Sequence, residues 1–387
     1  MKITKKIVTK IEGEATLKIY GDEIIDFVEV EFWQHNGIEE YLRNRHFMDA
    51  LVINPRICGI CGHSHLLATA KAIEAAFECE VSEKAQILRE TTTFLEIVEN
   101  HIKWFYITLF PTRIESREFI YKAFSFAKKI SQAIALIAGQ YPHNSYIIPG
   151  GVTCDITYVE LGKLKNIIDE IYNDYTSLII NERLISPDLE LFFNNMPKNI
   201  GKGLGEFLIL GENSLFKKNG DYSFVSEENG KSFSKNALYK GKFVEVGPLG
   251  RMLSLKTPIQ AVYEEFKDSI YTRILARIYE PLVLLNHLRK RLDRLDICEE
   301  SYIQPCVKDS KGVAAIEAPR GSLIHQIEIK DEKISSYNII VPTQFNLASS
   351  KSKQNPSAVQ SSLMGEKREF MEPIFKCFDI CAVCMSH

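Results

Sequence analysis

Four cysteines in this 387-residue chain are spaced for joint chemistry. Cys58 and Cys61 lie in "RICGICGHSH", and Cys381 and Cys384 lie in "FDICAVCMSH" at the far end of the sequence. A Cys-x-x-Cys loop brings two thiolates together, so each pair can grip a metal ion and two pairs supply a four-sulfur site. One pair alone is equally compatible with redox chemistry, zinc binding or no role. Two pairs are a stronger signal, although roughly 320 residues separate them. Zinc ribbons place their pairs tens of residues apart. Structural zinc joining both ends of a chain that already has ample core would be an odd arrangement.

The nine cysteines are odd in number, and no charged–apolar–small signal pattern opens the chain. Both facts argue against a disulfide framework. Cys79, Cys154, Cys298, Cys306 and Cys377 read mostly as small buried hydrophobes. Composition is that of a globular protein, 45% hydrophobic and 25% charged. A net charge of −3 gives no electrostatic case for a nucleic-acid partner. No run of about 18 apolar residues exists to span a membrane.

The elements that must carry the cysteines follow from periodicity. "KKIVTKIEG", "ATLKIYG" and "DEIIDFVEVEFW" alternate as strands, with breaks at Gly13, Gly21 and Asp22. "SHLLATAKAIEAAFE" follows the first cysteine pair directly as a helix, and Ser82–Leu109, Ser116–Ile137 and Tyr158–Ile180 repeat apolar residues at three- and four-residue spacing. Residues 200–256 mix short strand-like runs with Asn-Gly and Gly-Asp turns, a small β-rich insertion. A long helical stretch begins at Thr257 and Pro258, with Pro281 bending or dividing it. "SLIHQIEIKDEKISSYNIIVPTQFN" reads as a hairpin around Asp331–Glu332 running into a loop. The expected class is mainly α with added β (α+β): one domain over 1–387, a long-helix bundle with N-terminal strands and small β insertions.

The residues around the cysteines carry a resemblance. Arg56, Cys58, Gly59, Cys61 and His65 in the first motif, and Asp379, Cys381, Cys384 and His387 in the second, resemble the metal-binding motifs of nickel–iron hydrogenase large subunits. "VTKIEG", "NGIEEYLRNR", "AGQYPHNSYIIPGG", "EAPRG" and "VPTQFN" resemble further motifs of that family in the same order, so the likeness covers most of the chain. In chain length it is nearer the compact cytoplasmic members.

The resemblance implies H2 cleavage at a nickel–iron centre whose iron carries cyanide and carbon monoxide. Cys58 and Cys381 would be terminal nickel ligands, with Cys61 and Cys384 bridging to iron. Cys381 would accept the first proton, and Glu12 would pass it toward solvent. Arg320 would supply fixed positive charge over the open metal face, since a guanidinium does not deprotonate. Asp379 and Asn100 would complete that canopy, Asn100 lacking the charge of the aspartate common at its position. Pro319 and Thr343 would surround the iron's diatomic ligands, and His65 would donate to a bridging sulfur. His63, His101 and His143 read as structural. Glu39, the Ile339 carbonyl and His387 would bind magnesium.

In this family an endopeptidase removes an extension after the terminal histidine, and His387 stands where that cut would leave it. Lys10, Glu14 and Ile380 depart from the usual Arg, His and Pro. With the four thiols assigned, nothing is left to hold an iron–sulfur cluster, so an obligate iron–sulfur small subunit is implied, together with further electron-transfer subunits. The expected location is the cytoplasm, with any membrane association through partners. A slow H2-sensing relative and a four-cysteine zinc protein are the alternative readings.

Overall fold

The computed structural model describes residues 3–7, 14–33, 35–180, 186–230, 233–381 and Cys384. Glu12, Gly13 and His387 lie outside the described residues, as do Lys10 and the turn in which Glu12 sits.

Four long helices build the bundle. Glu83–Lys103 packs against Arg117–Ala138 and Ile270–Leu292, and both of these pack against Tyr158–Leu178. Each start has a sequence cause. Ser82 caps the first by accepting a hydrogen bond from Ala85 N, and Thr157 with Glu160 forms a reciprocal capping box at the start of Tyr158–Leu178. Ser269 caps Ile270–Leu292 in the same manner. The stretch begun at Thr257 is divided, but at Lys267–Ser269 rather than at Pro281. Lys267 adopts a left-handed φ of 56°, and Ser269 starts a new helix that runs through Pro281. A new N-cap outcompetes the proline as the dividing signal.

Ile3–Ile7, Ala15–Gly21 and Ile25–Phe32 form an antiparallel N-terminal sheet in sequence order. A second antiparallel sheet joins Ser310–Ala318, Gly321–Lys330 and Lys333–Ile340. The reversal at Asp331–Glu332 has φ of 49° and 58°, the left-handed pair that a two-residue hairpin turn requires. Strand Ser310–Ala318 and the short helix Pro342–Asn346, where the sequence suggests a loop, are additions to the expected hairpin. Within 200–256 the strands are short: Phe207–Leu208 with Glu245–Val246, and Val225–Asn229 with Lys235–Tyr239.

Helix Gly62–Phe77 lies between the bundle and the second sheet, with nearly every residue buried. Gly312 permits this closeness. A Cβ there would strike the backbone of Ala72 and Ala76, so helix and strand could not approach. The hydrophobic core runs continuously from this helix into the bundle.

Candidate metal centre

Helix Gly62–Phe77 starts immediately after Cys61, so its first amide groups lack partners within the helix. Glu96, buried on the neighbouring helix, supplies them. Its carboxylate accepts from His63 N and Ser64 N at 2.9 Å each, and from the Ser64 hydroxyl. Burial pushes Glu96 up to about 8, against the downward pull of these bonds. Pro55 packs so closely on Gly62 that a side chain there would collide with its carbonyl. The first cysteine loop is thereby fixed from both sides. Ile60 N and Cys61 N both donate to Cys58 Sγ at 3.4 Å, which favours its thiolate.

The second pair arrives from the end of helix Met371–Lys376. Cys58 Sγ lies 3.5 Å from Cys381 Sγ, Cys61 Sγ lies 3.7 Å from Cys384 Sγ, and Cys381 and Cys384 are 2.9 Å apart. All four sulfurs fall within 4.8 Å of one another and all four cysteines are buried. Hydrogen bonds from Cys381, Cys384 and Cys61 hold the Cys58 thiol well below its ordinary range. Cys61 and Cys384 are pushed well above theirs, chiefly through Cys381. A cluster this tight does not carry several negative charges unaided, and soft metal cations at its centre would relieve it. The donor set therefore fits thiophilic nickel and iron.

Charged groups surround the sulfurs. The Arg320 guanidinium lies 3.1 Å from Asp379 Oδ1, and Arg320 Nε donates to the Asp379 carbonyl at 3.0 Å. His65 Nε2 lies 3.9 Å from Cys384 Sγ, and its Nδ1 is 3.1 Å from His325 Nε2. His325 continues to the Tyr337 hydroxyl at 2.7 Å. Pro319 precedes Arg320 and is buried; Thr343 is buried on the short helix Pro342–Asn346. Asn346 ties that helix to the Arg320 carbonyl at 3.3 Å. Asn100 is buried, its amide oxygen has no hydrogen-bond partner among the described residues, and it lines a cavity of about 80 Å³ behind Gly59 and Ile60. Glu39 Oε1 accepts from Ile339 N at 2.8 Å, which places two residues of the expected magnesium site side by side.

His63 contacts the Thr92 hydroxyl and stacks on Tyr146, and His101 pairs with Glu280 at 2.7 Å. Three residues that sequence reasoning did not single out complete the surroundings. Arg251 pairs with Glu280 and donates to the Ala318 and Pro319 carbonyls, holding the turn before Arg320. Arg277 reaches the segment before Cys381, and His325 backs His65. The visible signal was a charged series, Arg273, Arg277 and Glu280, recurring with helical spacing among Ile274, Leu275, Ala276 and Ile278. Open grooves of about 770 and 570 Å³ elsewhere are lined by none of the predicted site residues.

Residues 36–109 and 214–387 match the family described as Nickel-dependent hydrogenase. The chain belongs to that family. It is 26% identical to the coenzyme F420 hydrogenase subunit alpha of Methanocaldococcus jannaschii, over 98% of this chain and 92% of the relative. It is 27% identical to the sulfhydrogenase 2 subunit alpha of Pyrococcus furiosus, over 98% and 97%. The fold matches the Ni-Fe-Se hydrogenase of D. vulgaris Hildenborough with a TM-score of 0.88 at 22% identity, covering all of both chains. This hydrogenase chain is thus an oxidoreductase that cleaves H2, and its buried four-thiol cluster serves nickel and iron rather than structural zinc. Its "subunit alpha" relatives imply a smaller partner subunit. No described helix is long and apolar enough to cross a membrane.

Proposed function

We propose that the chain works as a single domain over 1–387 and is the catalytic subunit of a hydrogenase, with Cys58 and Cys381 as terminal nickel ligands and Cys61 and Cys384 bridging to iron. That iron would carry cyanide and carbon monoxide. When bound, this centre supplies Lewis acidity and redox capacity for heterolytic H2 cleavage. The observation that carries the reading is the convergence of four buried sulfurs within 4.8 Å from opposite ends of the sequence.

The chain's own groups divide the remaining work. Cys381 takes the proton, and Glu12 relays it outward, because a proton crosses apolar protein only between groups within hydrogen-bond reach. Arg320, oriented by Asp379, holds fixed positive charge beside the sulfurs. Pro319 and Thr343 shape the pocket for the diatomic ligands, the Thr343 hydroxyl donating to cyanide. His65 donates to the Cys384 sulfur, and Asn100 offers neutral hydrogen bonding in the canopy. Glu39, the Ile339 carbonyl and His387 hold magnesium, whose preference for oxygen suits the first two.

Electrons leave where the site comes nearest the surface. Gly59 is exposed and Ile60 partly so, although the flanking cysteines are buried. An iron–sulfur small subunit seated on this loop, with exposed Val52 and Arg56 beside it, accepts them and passes them to further electron-transfer subunits. The complex works in the cytoplasm.

Metal analysis and infrared spectroscopy of the chain purified with its small subunit test the assignment. Nickel with cyanide and carbonyl bands is expected, and iron in excess of nickel because the small subunit carries iron–sulfur clusters; zinc without those bands would end the reading. Glu12→Gln tests the relay. Metal content and bands should stay normal while H2 oxidation and H/D exchange with solvent are largely lost, and exchange at the wild-type rate would remove Glu12 from the path.

A further inference from the structure

Helix Met371–Lys376 ends five residues before Cys381, and the chain between has to present the second cysteine pair without regular structure. Helix ends leave carbonyl groups without partners inside the helix. Here four successive carbonyls each receive a side-chain N–H from another element. Trp104 Nε1 donates to Lys376 O at 2.9 Å, Arg277 donates to Cys377 O at 2.6 Å and to Phe378 O at 3.3 Å, and Arg320 donates to Asp379 O at 3.0 Å.

Arg277 is the centre of this arrangement. It is buried, its guanidinium stacks on the Trp104 ring with 4.7 Å to the centroid, and its Nε faces Asp379 Oδ2 at 3.9 Å. Arg273, one turn earlier on the same helix, lies over the Phe378 ring at 4.4 Å. The turn so held is strained: Asp379 has a φ of 57°, left-handed for a residue with a side chain. Such a conformation persists only when its surroundings over-determine it. A planar fork serving two adjacent carbonyls and facing the next carboxylate does so, and an ammonium cannot reproduce that geometry.

We infer that Arg277, stacked on Trp104, is a positioning residue for the reaction: it fixes the Cys377–Asp379 turn and, through it, both the second cysteine pair and the Asp379 partner of Arg320. Arg277 touches neither metal nor substrate in this role. The inference rests on the reading of Cys381 and Cys384 as metal ligands.

The test compares Arg277→Met and Arg277→Lys with Arg89→Met, each in the full chain. Arg89 is an equally buried arginine, but its partners are Glu74 and the Gly151 and Ile148 carbonyls, none of them in the second cysteine segment. In metal-free protein, amide exchange over the segment 377–384 should accelerate at least tenfold in Arg277→Met and remain as wild type in Arg89→Met. In the assembled complex, turnover per bound nickel should fall at least tenfold in Arg277→Met and less in Arg277→Lys. The KM for H2 should be unchanged, and the infrared bands of the centre should shift. Arg89→Met should lower only the yield of folded protein. Should Arg277→Met not fold, Arg277→Lys carries the same comparison. Wild-type exchange over 377–384 together with wild-type turnover per nickel in the Arg277 variants would overturn the inference. Wild-type protein without nickel would instead sink the metal assignment and leave the exchange result standing.

Discussion

The two cysteine pairs contribute equally to the sulfur cluster but are built by different means. Cys58 and Cys61 sit at the start of a helix, with Glu96 meeting the amides that follow and Pro55 packed against Gly62. Cys381 and Cys384 follow a helix end, and Trp104, Arg277 and Arg320 meet the carbonyls that precede them. One pair is served by an acceptor at a positive helix terminus, the other by side-chain N–H donors, two of them cationic, at a negative one. The first half-site is formed locally and then braced. The second exists only once distant elements have packed, so it is the half whose loss leaves the rest of the molecule intact.

That contrast can be broken most severely at the sulfurs. Cys381→Ala should abolish nickel binding and H2 oxidation while far-ultraviolet circular dichroism stays that of the wild type, because no helix depends on this residue. A collapse of helical content would show that the second pair is structural after all.

Arg320→Lys is the next largest. It keeps the charge and loses the fork that reaches the Asp379 carboxylate and carbonyl together. H2 oxidation should fall about a hundredfold, near 3 kcal/mol of barrier, with nickel and iron retained. Near-normal turnover in a metal-replete Lys variant would remove Arg320 from the mechanism.

At the first pair the expected effect is on stability and its pH dependence. Burial raises Glu96 to about 8 from an ordinary 4.5. Between those values the folded chain holds a proton that the unfolded chain has released, so this contribution is present at low pH and lost as pH rises through about 8. The urea midpoint of metal-free protein should therefore fall more steeply from about pH 5 to pH 8.5 in wild type than in Glu96→Gln. Parallel curves would mean that Glu96 titrates outside this window.

Thr157→Ala, at a capping box away from both pairs, provides the baseline for the comparison. It should cost about 1 kcal/mol in chemical denaturation and leave nickel content and turnover per nickel unchanged. A change in turnover there would show that bundle stability alone moves activity, and the two cysteine regions would lose their special standing.

Read by itself, the sequence determined the local half of this protein. The helix caps at Ser82, Thr157 and Ser269, the Asp331–Glu332 reversal and the helix following Cys61 are each encoded within a few residues. So is the identity of the four sulfur donors, because Cys-x-x-Cys is a local geometry, and the flanking motifs resembled one family in order. Tertiary structure alone decided what depends on distance. It added strand Ser310–Ala318 against a helix that only Gly312 allows so near. It brought Cys58 to 3.5 Å from Cys381, and it chose Glu96, Arg251 and Arg277 from among many charged residues to meet backbone groups around the cluster. The physical reason is one of range. Caps and turns are settled by neighbours in sequence, whereas a buried charge finds its partner only after the chain has folded and removed the water that would otherwise have served it.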